Sequence, residues 1–134
     1  MFKLVKERQA WWPVSWHVAA DDSGAAGEVD PVRIELKLRL LSQDDGARIA
    51  DVGAAVDAFV GDDPDVPLTS SQKMAKVLSE IVIDWRGVGD ADGNIAPFNE
   101  ANFAQLLCLG PVFDAILAAY GSCVRGEGAL RTKN

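Results

Sequence analysis

The chain is poor in the residues that most often carry chemistry. One histidine and two cysteines stand among 134 residues, too few for a His-rich or Cys-rich zinc site and for most nucleophile-and-base combinations. Missing too are a Gly-rich phosphate loop of either common spacing, Cys-x-x-Cys, His-Glu-x-x-His and Gly-x-Ser-x-Gly. Nothing in the pattern therefore positions a phosphate, a redox dithiol, a catalytic zinc or a serine nucleophile. Positive charge is scarce. Thirteen Lys and Arg against 20 Asp and Glu give a net charge of -7 and an isoelectric point near 4.6, which disfavours binding to a phosphate backbone. The stretch poorest in charge, Ala101 to Val124, is broken by Asp114 and by Gly110-Pro111, and Lys3, Lys6, Glu7 and Arg8 interrupt any signal-peptide core. These absences lead us to expect a noncatalytic protein with no metal, no cofactor, no nucleic-acid partner and no membrane span. Cys108 and Cys123 are then expected to be reduced thiols filling space on helices in an intracellular protein.

What is present is an ordinary globular composition. With 49% hydrophobic and 25% charged residues, a chain of this length folds as a single domain, 1–134, around one core. Its acidity is local. Residues 1–41 carry six basic and six acidic residues, 42–66 one and seven, and 67–134 six and seven.

Period-two alternation marks the first zone. Trp12, Val14, Trp16 and Val18 alternate with Pro13, Ser15 and His17, and Val32, Ile34, Leu36, Leu38 and Leu40 alternate with Arg33, Glu35, Lys37 and Arg39. The charged face of the second run must meet water, so the sheet is covered on one side and antiparallel. Phe2 to Lys6 is a possible third strand. From Asp44 or Asp45 the period becomes helical through Ile49, Val52, Val56 and Phe59 to Gly61. Thr69 to Gln72 matches a capping box, and Met74, Val77, Leu78, Ile81, Val82 and Trp85 follow as a helical stripe. Phe98 and Phe103 flank an Asn99 cap as a hydrophobic staple opening a third helix that Gly110-Pro111 ends. Pro111 opens a fourth, in which Val112, Phe113, Ile116, Leu117 and Tyr120 share a face. From Gly121 the pattern gives way to a polar tail, clearest over 125–134. The expected fold is α+β: a small N-terminal antiparallel sheet over 1–41, a hairpin with a possible third strand, followed by about four helices over 42–124.

Individual residues favour structural roles. Asp90, Asp92 and Gly93 suggest a calcium loop, but placing Gly93 at the sixth position puts Val88 at the first and Asn99 at the twelfth, where oxygen ligands are required. His17 has no partner motif for general-base catalysis. The paired acids Asp44-Asp45 and Asp62-Asp63 suit caps and loops. Trp11 points away from the core face and is a candidate interface anchor. Phe103, Leu106, Leu107, Leu109, Val112, Phe113, Ile116 and Leu117 give more apolar positions than one packed face requires, so part of this set is a candidate partner surface and a possible site of self-association.

Two segments resemble a known family. Phe2-Lys3-Leu4-Val5-Lys6-Glu7-Arg8 with Trp11-Trp12-Pro13-Val14 and the strand Val32 to Leu41 form the first. The second is Val82-Ile83-Asp84-Trp85-Arg86-Gly87-Val88, then Asp90-Ala91-Asp92-Gly93, Pro97-Phe98-Asn99, a run of Leu, and Ala118-Ala119-Tyr120. Together they resemble small tail assembly chaperones of long-tailed bacteriophages and prophages, in which a helix ends in a Trp before Gly-Val and an Asp-x-Asp-Gly turn, and a Pro-Phe pair opens the C-terminal helices. The resemblance implies a noncatalytic protein of the host cytoplasm that coats the helical tape measure protein and recruits major tail protein. Such chaperones often also exist in a longer, frameshifted form. A structural or tail-completion subunit of the virion, or a small acidic immunity or antitoxin protein, remain the alternatives.

Overall fold

The computed structural model describes residues 1–2, 7–22, 24–41 and 67–126. The alternation becomes two long strands, β1 (Arg8–Ala19) and β2 (Val29–Leu40), paired antiparallel in a register that sets Trp12 opposite Leu36 and Trp16 opposite Val32. The even-numbered residues of both strands thus share one face. Val14, Trp16, Ile34, Leu36 and Leu38 are buried there, with Trp12 and Val18 packed at the margin. The loop over 20–28 is held by Ala20 N–H donating to the Glu28 carbonyl at 2.9 Å and Ala25 N–H donating to the Glu28 carboxylate at 2.8 Å.

Helix α1 (Ser70–Leu78) begins with the expected capping box: Thr69 Oγ1 accepts from Gln72 N–H at 3.3 Å, and Gln72 Oε1 from Thr69 N–H at 2.8 Å. It stops seven residues short of Trp85. Residues Val82–Arg86 form β3, antiparallel to β2, and the sheet order is β1-β2-β3. The observed third strand is this one; the alternative at Phe2 to Lys6 falls almost wholly outside the described residues. A bulge explains the misleading stripe. Lys37 pairs with Asp84 but Leu38 pairs with Val82, so Ile83 is an extra residue, and Val82 and Trp85 both face the core although three apart. Three apart is also helical spacing.

Helix α2 (Glu100–Leu107) opens as expected. Asn99 Oδ1 accepts from Asn102 N–H at 2.8 Å, and the staple rings of Phe98 and Phe103 lie 5.4 Å apart. After the turn at Gly110-Pro111, α3 (Val112–Arg125) passes through Gly121 and ends at Gly126, whose φ of 70° supplies the left-handed cap. The helix thus outlasts its expected end at Tyr120. Three helices are present among the described residues. The expected helix from Asp44 or Asp45 to Gly61 lies outside them, as does the tail beyond Gly126. α3 packs on β1 and α1 on α2, which closes one core over a single sheet face. Lys76 Nζ to Glu100 Oε1 at 2.6 Å ties α1 to α2, and Tyr120 Oη accepts from Leu41 N–H at 3.3 Å where α3 meets the end of β2. No single described helix is long and apolar enough to cross a membrane; α2 and α3 reach that length only together, and the chain bends by 105° between them.

Candidate docking cleft

The loop after β3 is built on the residues that made this segment distinctive. Gly87 and Gly93 take φ values of 87° and 84°, a region that a side chain disfavours. Asp90 Oδ1 accepts from the N–H groups of Asp92 at 2.9 Å and Asn94 at 3.0 Å. Asp90 N–H donates to the Asn94 carbonyl at 2.8 Å, and Ala96 N–H to the Val88 carbonyl at 3.0 Å. The acidic turn is therefore a self-satisfied hairpin, with one Asp90 oxygen committed to backbone donors. Among the described residues no three His, Cys, Asp or Glu side chains gather as metal ligands.

Trp85 locks this loop to the core. Its Nε1–H donates to the buried Ala96 carbonyl at 2.8 Å, and its ring meets Phe98 and Phe103 edge-on at 5.2 and 6.4 Å between centroids. Between the locked loop and α2 an open cleft of about 560 Å³ remains, floored by Trp85 and walled by Val88 to Ala91, Ala96 and Pro97 on one side and Asn102, Gln105, Leu106 and Leu109 on the other. Its surface is mixed, a little more apolar than polar, and its one charged lining residue is Asp90.

The structure divides the expected partner residues. Phe103, Leu107, Val112 and Ile116 are at most 5% exposed; they complete the core and present nothing to a partner. Phe113 and Leu117 are half-buried against that core. Leu106 and Leu109 line the cleft, and Leu109 is 46% exposed. Trp11 does lie on the sheet face opposite the core, but it is half-buried, with the Arg86 guanidinium 4.0 Å above its ring. Arg86 also pairs with Glu35 at 3.1 Å, so Trp11 belongs to a cross-strand cluster apart from the cleft. Cys123 is buried as expected, whereas Cys108 is exposed and its thiol donates to Ser71 Oγ at 3.4 Å.

Sequence reasoning missed the loop's share of the cleft, Val88 to Ala91 with Ala96 and Pro97. The signal was available in Gly87, Gly93 and the Asx-turn residue Asp90, which require a tight return of the chain over Trp85. A scan of protein families matches residues 35–121, more than half of the chain, to the YdaY prophage protein. The chain belongs to that family. It is thus a prophage protein, and the matched span runs from the middle of β2 into α3 and takes in the whole cleft while leaving out β1. No curated protein and no solved structure matches it.

Proposed function

We propose that this prophage protein is a noncatalytic tail assembly chaperone of the host cytoplasm, which binds helical segments of the tape measure protein and helps recruit major tail protein. The observation that supports the reading is the open cleft beside Leu106 and Leu109. It offers a docking place with apolar side chains at Leu106 and Leu109, next to Trp85-Arg86-Gly87-Val88 and Pro97-Phe98-Asn99, the segment that carries the resemblance to such chaperones. Helix-in-groove binding needs such a surface and little side-chain chemistry. Ile95 and Val124, 90% and 57% exposed and outside the cleft lining, add apolar surface that favours self-association when the partner is absent.

Coexpression with the tape measure protein of the same prophage tests this. The expected result is a higher soluble yield of that protein and its copurification with this chain. Unchanged yield with no copurification overturns the reading and favours a subunit that stays in the virion.

A further inference from the structure

Charge is distributed unevenly about the cleft. From Gly87 to Val124 the chain carries four acidic residues, Asp90, Asp92, Glu100 and Asp114, and no Lys, Arg or His. Glu100 is engaged by Lys76 from α1. Asp90, the one charged residue lining the cleft, is exposed on the loop, so the loop rim of the cleft is negative, and the exposed Asp92 follows two residues on. Leu106 and Leu109 line the cleft from the side of α2.

The backbone of the loop restricts what can enter. The amides of Asp90, Asp92, Gly93, Asn94 and Ala96 are already bonded within the turn, and the Ala96 carbonyl accepts from Trp85. This wall offers few free groups to an extended peptide, which must pair its own backbone with its host. An α-helix brings its backbone already satisfied and needs only an apolar stripe and a rim of matching charge.

We propose that the cleft binds a cationic amphipathic helix, seating Leu-sized side chains against Leu106 and Leu109 and setting Lys or Arg beside Asp90. This rests on the chaperone reading only for which protein supplies the helix. A second copy of this chain is a poor occupant, because two such rims would repel.

The probe is a synthetic helical peptide of about five turns with a leucine stripe flanked by lysines, compared with the same peptide carrying glutamate at every lysine. Binding to the full chain is read by fluorescence anisotropy and by amide chemical-shift mapping. We expect the lysine peptide to bind, the glutamate peptide to bind at least about tenfold more weakly, and the affinity to fall as salt shortens the screening length. Shifts should centre on Ala91, Leu106 and Leu109. Leu109→Gln, at an exposed position, should weaken binding about tenfold by removing an apolar anchor. Asp90→Asn with Asp92→Asn keeps the turn's side-chain acceptor while deleting both charges, and should weaken binding about fivefold and flatten the salt dependence. Equal affinity for the two peptides, no binding of either, shifts centred on the acidic 42–66 segment, or affinity unaltered by Leu109→Gln each overturn the proposal. If the peptide fails while the tape measure protein still copurifies, the cleft assignment is wrong and the chaperone reading stands. If the peptide binds but the tape measure protein is not solubilised, the reverse holds.

Discussion

Replacing Trp85 with Phe should show how much the buried indole hydrogen bond holds the loop to the sheet. The benzene ring keeps most of the apolar contact with Phe98 and Phe103, but it removes the donor to the Ala96 carbonyl, 2.8 Å away and buried. A buried acceptor left without a partner costs about 1–3 kcal/mol. The volume lost from the larger ring adds about 1 kcal/mol through incomplete repacking. A total of about 2–4 kcal/mol is a large part of the ~5–15 kcal/mol that holds a domain of this size. Urea titration followed by circular dichroism and by the fluorescence of Trp11, Trp12 and Trp16 should show an earlier midpoint with an unchanged slope. Trp11→Phe is the internal comparison. It loses mainly the stacking of Arg86 on a half-buried ring, about 0.5–1 kcal/mol. If Trp85→Phe costs no more than Trp11→Phe, the Trp85–Ala96 bond is not what fixes the loop.

Leu36 is fully buried at the centre of the middle strand, so Leu36→Asp should cost several kcal/mol, roughly a Leu burial plus an unpaired charge; a wild-type melt would refute the assignment of the covered face. Thr69→Ala deletes the acceptor for Gln72 N–H and should cost about 1 kcal/mol, read as a lower urea midpoint. Exposed Cys108 should be alkylated quickly in the folded protein, while Cys123, whose thiol pKa burial pushes up, should react only on unfolding; equal rates by mass spectrometry would contradict the placement of α3. Hydrogen bonds from Arg86, helped by its charge and that of Arg33, hold the Glu35 carboxyl below its ordinary value of 4.5 against a smaller opposing effect of burial. The stabilisation is therefore present above the unfolded pKa and lost as pH falls through the lowered one, so wild type and Glu35→Gln should converge in midpoint on acidification, and a constant difference across that range would refute the pairing.

Much of the sheet and all three helix starts were legible because each rests on a local rule. Alternation from Trp12 to Val18 and from Val32 to Leu40 sets the covered face of β1 and β2, and the observed register places those residues opposite one another. Thr69 with Gln72 and Asn99 with Phe98 and Phe103 satisfy orphan amides and fix entry angles within a few residues. What sequence concealed depends on partners far along the chain. β3 looked helical because the bulge at Ile83 depends on the pairing with Lys37 and Leu38, residues more than forty positions earlier. The apolar residues from Phe103 to Leu117 could not be divided into core and surface, because the 105° bend between α2 and α3 decides which of them meet the sheet.

The segment from Trp85 to Asn99 links the fold to its candidate site. Each residue type here has a mechanical role. Trp85 donates to Ala96, Gly87 and Gly93 supply positive φ, Asp90 closes the turn, and Phe98 with Asn99 starts α2. Those same contacts hold the loop away from α2 and leave the cleft between them. A substitution that relaxes the turn should therefore affect docking even when it touches no partner. A change at Leu109, exposed on the cleft wall and outside the turn, or one such as Asp90→Asn that keeps the turn's acceptor, is what separates recognition from construction.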